Sequence, residues 1–123
     1  MVIASLLSEH ESLDTIMHLI VAQNVGWDIT YIGNSVPNDE ISYAASRVKA
    51  QVVILAINNS RDIARKIYEI KHIRDNAEKT EDIILIGSRC NDYKQLSNQL
   101  NINVCSDLTS FRITLERLYS LIR

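Results

Sequence analysis

Gln51-Val52-Val53-Ile54-Leu55-Ala56-Ile57 is apolar from Val52 onward and rich in β-branched residues. Seven residues suit a strand better than a helix, and an unbroken apolar run leaves no side for water. It reads as a strand of a parallel sheet covered on both faces. Asp82–Ile86 (DIILI) repeats the pattern and is closed by Gly87-Ser88, as Asn58-Asn59-Ser60 closes the first run. Outward from this pair, Val2–Leu7 (VIASLL) reads as a short buried strand, Trp27–Ile32 (WDITYI) as an alternating one, and Ile102–Cys105 as a short last one.

Helical spacing fills the gaps. Leu13, Ile16, Met17, Ile20 and Val21 form one apolar face, with Gly26 as the stop. Gly33-Asn34-Ser35 is turn chemistry, and Pro37 suits the first turn of a helix carrying Ile41, Ala44, Ala45 and Val48. Ile63, Ile67, Ile70 and Arg74 share a face of a longer helix that gives out in the polar stretch Asp75–Glu81. Asn91–Leu100 reads as a short helix. Leu108, Phe111, Leu115, Leu118 and Ile122 stripe the last one. Strand and helix thus alternate five times. With right-handed crossovers, this predicts a doubly wound, flavodoxin-like (Rossmann-like) α/β fold. The five-stranded parallel sheet has order 2-1-3-4-5, in a single domain over residues 1–123.

The 123 residues carry 23% charged side chains and a net charge of −2, so there is no electrostatic footprint for nucleic acid. Lysine and arginine are spread without runs, and no apolar stretch reaches the ~20 residues of a membrane span. The start, MVIASLLSEHES, lacks a signal-peptide pattern, so a cytoplasmic location is expected. Cys90 and Cys105 are expected as reduced, buried thiols, with a thiol pair between neighbouring strand ends as the alternative.

Open α/β sheets bind ligands at the carboxyl edge, so function should lie in the edge loops. The richest is Ser8-Glu9-His10-Glu11-Ser12-Leu13-Asp14. Ser8-x-x-Glu11 matches a capping box, and Glu9 and Glu11 would be stabilised by a helix amino end. His10 is weighed as a solvated side chain against a metal ligand, while His18 and His72 lack metal spacing. No nucleophile elbow, phosphate loop or dinucleotide glycine fingerprint occurs, so no enzyme activity is expected. A degenerate phosphoreceiver is a further alternative. However, Ala56-Ile57-Asn58 supplies no phosphoacceptor aspartate, and Val104-Cys105-Ser106 supplies no lysine.

The stretches Glu9–Asp14, Gly26-Trp27, Thr30–Pro37 (TYIGNSVP) and Ile84–Arg89 (ILIGSR) together resemble the cobalamin-binding domain family. In particular they are similar to the light- and cobalamin-sensing domain at the carboxyl end of MerR-type transcription regulators. The resemblance implies a DxHxxG or ExHxxG loop whose histidine ligates cobalt. Counting back from Gly26 puts Glu9 at the acidic, Glu11 at the histidine and Asp14 at the glycine position. A one-residue slip restores His10 as the metal ligand, with Ser8 and Leu13 beside it. The serine that ends the family's third strand is replaced near Ala56-Ile57, beside Asn58, and its glycine pair survives as Gly87-Ser88. The site residues implied are Glu9, His10, Glu11, Asp14, Asn58, Gly87 and Ser88.

The departures point to a decayed or repurposed cofactor site. The expectation is a ligand-sensing or protein-interaction module of a transcription regulator, with no cofactor. Its partner would be another protein or another subunit of a regulator whose DNA-binding part lies elsewhere, and self-association is compatible with it. The alternative is a cobalamin (or haem) sensor or carrier using His10. In a gel-shift assay this chain is expected to leave duplex DNA unretarded at about 10 µM protein. A micromolar shift with steep salt dependence would overturn that expectation.

Overall fold

The computed structural model describes residues 1–6, 9, 12–98 and 102–122, the last without its side chain. Strands β1 (Val2–Leu6), β2 (Thr30–Val36), β3 (Val52–Ala56), β4 (Asp82–Ile86) and β5 (Ile102–Val104) form one sheet in the order β2-β1-β3-β4-β5. Every neighbouring pair is parallel. Helices α1 (Leu13–Val25), α2 (Asn38–Arg47), α3 (Ile63–Asn76) and α4 (Leu108–Ile122) and a 3₁₀ segment (Cys90–Asn98) make the crossovers and the last helix.

Strand alternation sorts the core into two layers. Val2, Ala4, Leu6, Val53, Leu55, Ile83 and Leu85 turn toward α2, α3 and the 3₁₀ segment, where Ile41, Ile70, Ile73 and Tyr93 meet them. Ile3, Val52, Ile54, Ala56, Ile84 and Ile86 turn toward α1 and α4, where Ala22, Phe111, Leu115 and Leu118 meet them. No described helix is long and apolar enough to cross a membrane.

Four expectations need correction. β2 runs over Thr30–Val36 rather than from Trp27. Trp27 is instead held against α4, its Nε1–H donating to the Leu115 carbonyl at 3.3 Å and its ring edge-on to Tyr119 at 5.6 Å. Gly33-Asn34-Ser35 continues β2 with two register shifts against β1, because an edge strand tolerates bulges where a central one does not. On α3 the buried positions are Lys66, Glu69, Ile70 and Ile73, while Ile63 is exposed and Ile67 half-buried. The stripe is therefore one residue out of phase with the one read from the isoleucines. On α1 the error is larger: Leu13, Ile16, Met17 and Ile20 face outward, and Thr15, His18 and Ala22 face the sheet.

Both cysteines are free and buried. Burial pushes the Cys90 thiol up to about 11 and raises Cys105 as well.

β3 and β4 meet tightly at their carboxyl ends. Gly87 has φ +108, and a Cβ there would strike the Ile57 carbonyl and lie 2.7 Å from Asn58 Oδ1. Gly33 has φ +130 with nothing within 4 Å of such a Cβ. Gly87→Ala is therefore expected to cost about 3 kcal/mol, overpacking adding to backbone strain. Gly33→Ala should cost only the strain, about 1 kcal/mol. Urea unfolding of the two variants measures the difference, and equal losses would contradict the close approach.

Candidate functional site

The carboxyl edge of the sheet is built around Glu9. Three residues beyond β1, its side chain is turned inward and 2% exposed. Oε1 accepts the Asn58 backbone N–H at 2.6 Å, and Oε2 accepts the ammonium of Lys66. Lys66, from the first turn and a half of α3, is fully buried and also donates to Asn59 Oδ1 at 2.8 Å. Asn58 passes the connection on. Its Oδ1 accepts Ser88 N–H at 3.0 Å, and its carbonyl accepts the Ser88 hydroxyl at 3.2 Å. The ends of β1, β3 and β4 and the start of α3 are thus laced together by one buried ion pair and its hydrogen bonds.

The chemistry forces this lacing. An ammonium or carboxylate buried alone would lose its hydration without return, so each needs the other and further donors or acceptors. The surroundings are polar too. Glu69, 4% exposed, accepts from Arg65 Nε at 3.1 Å. Its carboxyl is nevertheless raised, burial outweighing the Arg65 and Lys66 charges. The Tyr93 hydroxyl, buried without a hydrogen-bond partner among the described residues, is pushed to about 12 by burial and then by the charges of Glu9, Asp92 and Glu69.

Of the residues singled out from sequence, Glu9, Asn58, Gly87 and Ser88 converge. Asp14 does not join them. It lies in the first turn of α1, its N–H donating to Ser12 Oγ at 3.1 Å and its carbonyl accepting His18 Nδ1–H at 2.7 Å. Ser12 is therefore the cap of α1, which starts at Leu13; the expected Ser8–Glu11 capping box falls outside the described residues. Glu9 likewise is held by Lys66 rather than by a helix dipole. His10, Glu11 and Ser8 lie outside the described residues. His18 is a core residue, 2% exposed with its ring edge-on to Phe111 at 4.7 Å. Among the described residues no three His, Cys, Asp or Glu side chains gather as a metal site.

Lys66 escaped the sequence reading. Its signal was its phase: it shares the stripe of Ile70, Ile73 and Ala77, where a lysine is buried only if it has a partner.

These features define a doubly wound, flavodoxin-like domain whose carboxyl sheet edge is crossed by its own side chains. No protein-family model and no curated protein matches the chain. Among solved structures, it is similar to a cobalamin-binding protein from Desulfitobacterium hafniense DCB-2 (TM-score 0.76, 14% identity over 94% of this chain). The chain spans 56% of that protein's length. It is also similar to a flavodoxin-like domain from a Synechococcus protein (TM-score 0.60, 14% identity), covering 99% of this chain and 98% of that one. At such identities the likeness establishes the fold.

Removing one partner of the ion pair should be severe. Lys66→Met is expected to cost about 3–5 kcal/mol, because Glu9 is left buried and charged. The double variant Glu9→Gln/Lys66→Met should recover most of that loss. Urea unfolding across the cycle gives the coupling; additive losses below about 1 kcal/mol would mean a solvated pair.

Proposed function

We propose that this chain is a non-enzymatic, regulatory interaction module that uses the cobalamin-binding architecture without its cofactor. It would act through a protein partner or another subunit of a transcription regulator, in the cytoplasm, and not through nucleic acid. The observation that carries the reading is the burial of Glu9. In the resembling loop the acidic position orients the metal-ligating histidine, a role that leaves a carboxylate oxygen free to hold an imidazole. Here both Glu9 oxygens are engaged, one by Asn58 N–H and one by Lys66.

The described residues also fit a corrin and its tail poorly. Asp14 occupies the position where the family pattern has glycine, in a capped helical turn. Binding depends on many contacts being preorganised together, so losses at several points multiply.

The second reading, a cobalamin sensor or carrier with His10 as the metal ligand, is favoured by the cobalamin-binding protein of like fold. Absorbance titration separates the two. With hydroxo- and adenosylcobalamin up to about 100 µM, no saturable spectral change is expected from the wild-type chain. Saturable binding that vanishes in His10→Ala would establish the second reading. A gain of binding by Glu11→His alone would support a decayed site in the register that puts Glu11 at the ligand position.

A further inference from the structure

Helix α1, LDTIMHLIVAQNV, is apolar on both sides. Its inner side is complete: Thr15, His18 and Ala22 are buried, with Leu19, Val21 and Val25 partly so against the core. Its outer side nevertheless presents Leu13, Ile16, Met17 and Ile20, exposed by 73%, 41%, 43% and 50%. The other three helices carry charge outward: Asp39, Glu40 and Arg47 on α2, Arg65, Lys71 and Asp75 on α3, Arg112, Glu116 and Arg117 on α4. The sole Asp, Glu, Lys or Arg of α1 is Asp14, on its first turn. A helix apolar all round is ordinarily covered all round.

We propose that this outer face is a homodimer interface, in which α1 packs antiparallel on α1 of a second copy about a two-fold axis passing between Ile16 and Met17. This gives the interaction module proposed above its partner, and it rests on that reading.

Three features select a second copy. The positions 13, 16, 17 and 20 follow the i, i+3, i+4, i+7 spacing of a helix–helix seam, so the occupant is a helix with a matching ridge. A face without charge meets itself without repulsion, whereas a partner chosen by electrostatics would be matched by charges here. In the antiparallel arrangement Leu13 meets Ile20 of the second copy and the two Asp14 side chains lie apart. A parallel one would set them face to face. The area also fits the centre of such an interface. Roughly half the surface of four large side chains is a few hundred Å², near the upper limit for monomers. It supplies the apolar centre of an interface of about 800 Å² per partner, with Gln23 and Asn24 at its rim.

Sedimentation equilibrium of the intact chain from about 1 to 200 µM tests this. The mass is expected to rise from 14.0 kDa to twice that value. Ile16→Glu, which sets like charges across the axis, should weaken association about 100-fold or more while leaving the far-UV circular dichroism unchanged. Should that variant not fold, a mixture of Leu13→Lys and Ile20→Glu chains reads the same pairing. The mixed dimer should form in preference to either homodimer. A wild-type chain monomeric throughout, a dimer indifferent to Ile16→Glu, or no preference for the mixed dimer overturns the proposal. A monomer that ignores cobalamin would sink only the dimer. A dimer that binds cobalamin through His10 would sink only the cofactor-free reading.

Discussion

A carboxylate and an ammonium share the interior of this domain, and the arrangement of the carboxyl edge of its sheet follows from them. Glu9 is delivered by the chain leaving β1, and Lys66 by the opening of α3, 57 residues later. Neither could be buried alone. Their pairing fixes where the loop after β1 turns inward, where α3 starts, and which backbone N–H ends β3. Such pairs add little net stability compared with an apolar replacement, but they penalise every arrangement that separates them. Glu9 and Lys66 therefore specify the edge more than they strengthen it.

The two-sided burial of the sheet explains why this edge carries so much polarity. β1, β3 and β4 are apolar on both faces, Ser5 and Asp82 aside, so polar groups collect beyond the strand ends. In proteins of this fold that is the ligand site. Here the donors and acceptors at the ends of β1, β3 and β4 largely satisfy one another: Asn58 serves Glu9 and Ser88, and Asn59 serves Lys66.

α1 shows the same economy from the opposite direction. Its sheet-facing side includes Thr15 and His18, and the histidine is accommodated by its hydrogen bond to Asp14 and its packing on Phe111. The larger aliphatic residues are turned away from the core. A helix that served only the monomer would be expected to reverse this assignment.

The sequence by itself determined the fold. Unbroken apolar runs at Val2, Val52 and Asp82–Ile86, alternating with helical spacing, admit few arrangements, and chirality removes most of those. It also marked the edge residues Glu9, Asn58, Gly87 and Ser88, because strand ends and loop chemistry are local signals. Tertiary structure alone decided which side of α1 faces the sheet, the phase of α3 and the partner of Glu9. The physical reason is the same in each case. Periodicity shows that a helix has an apolar side but not what lies opposite it. A buried lysine is stable only beside a carboxylate that the chain brings back from far away in sequence.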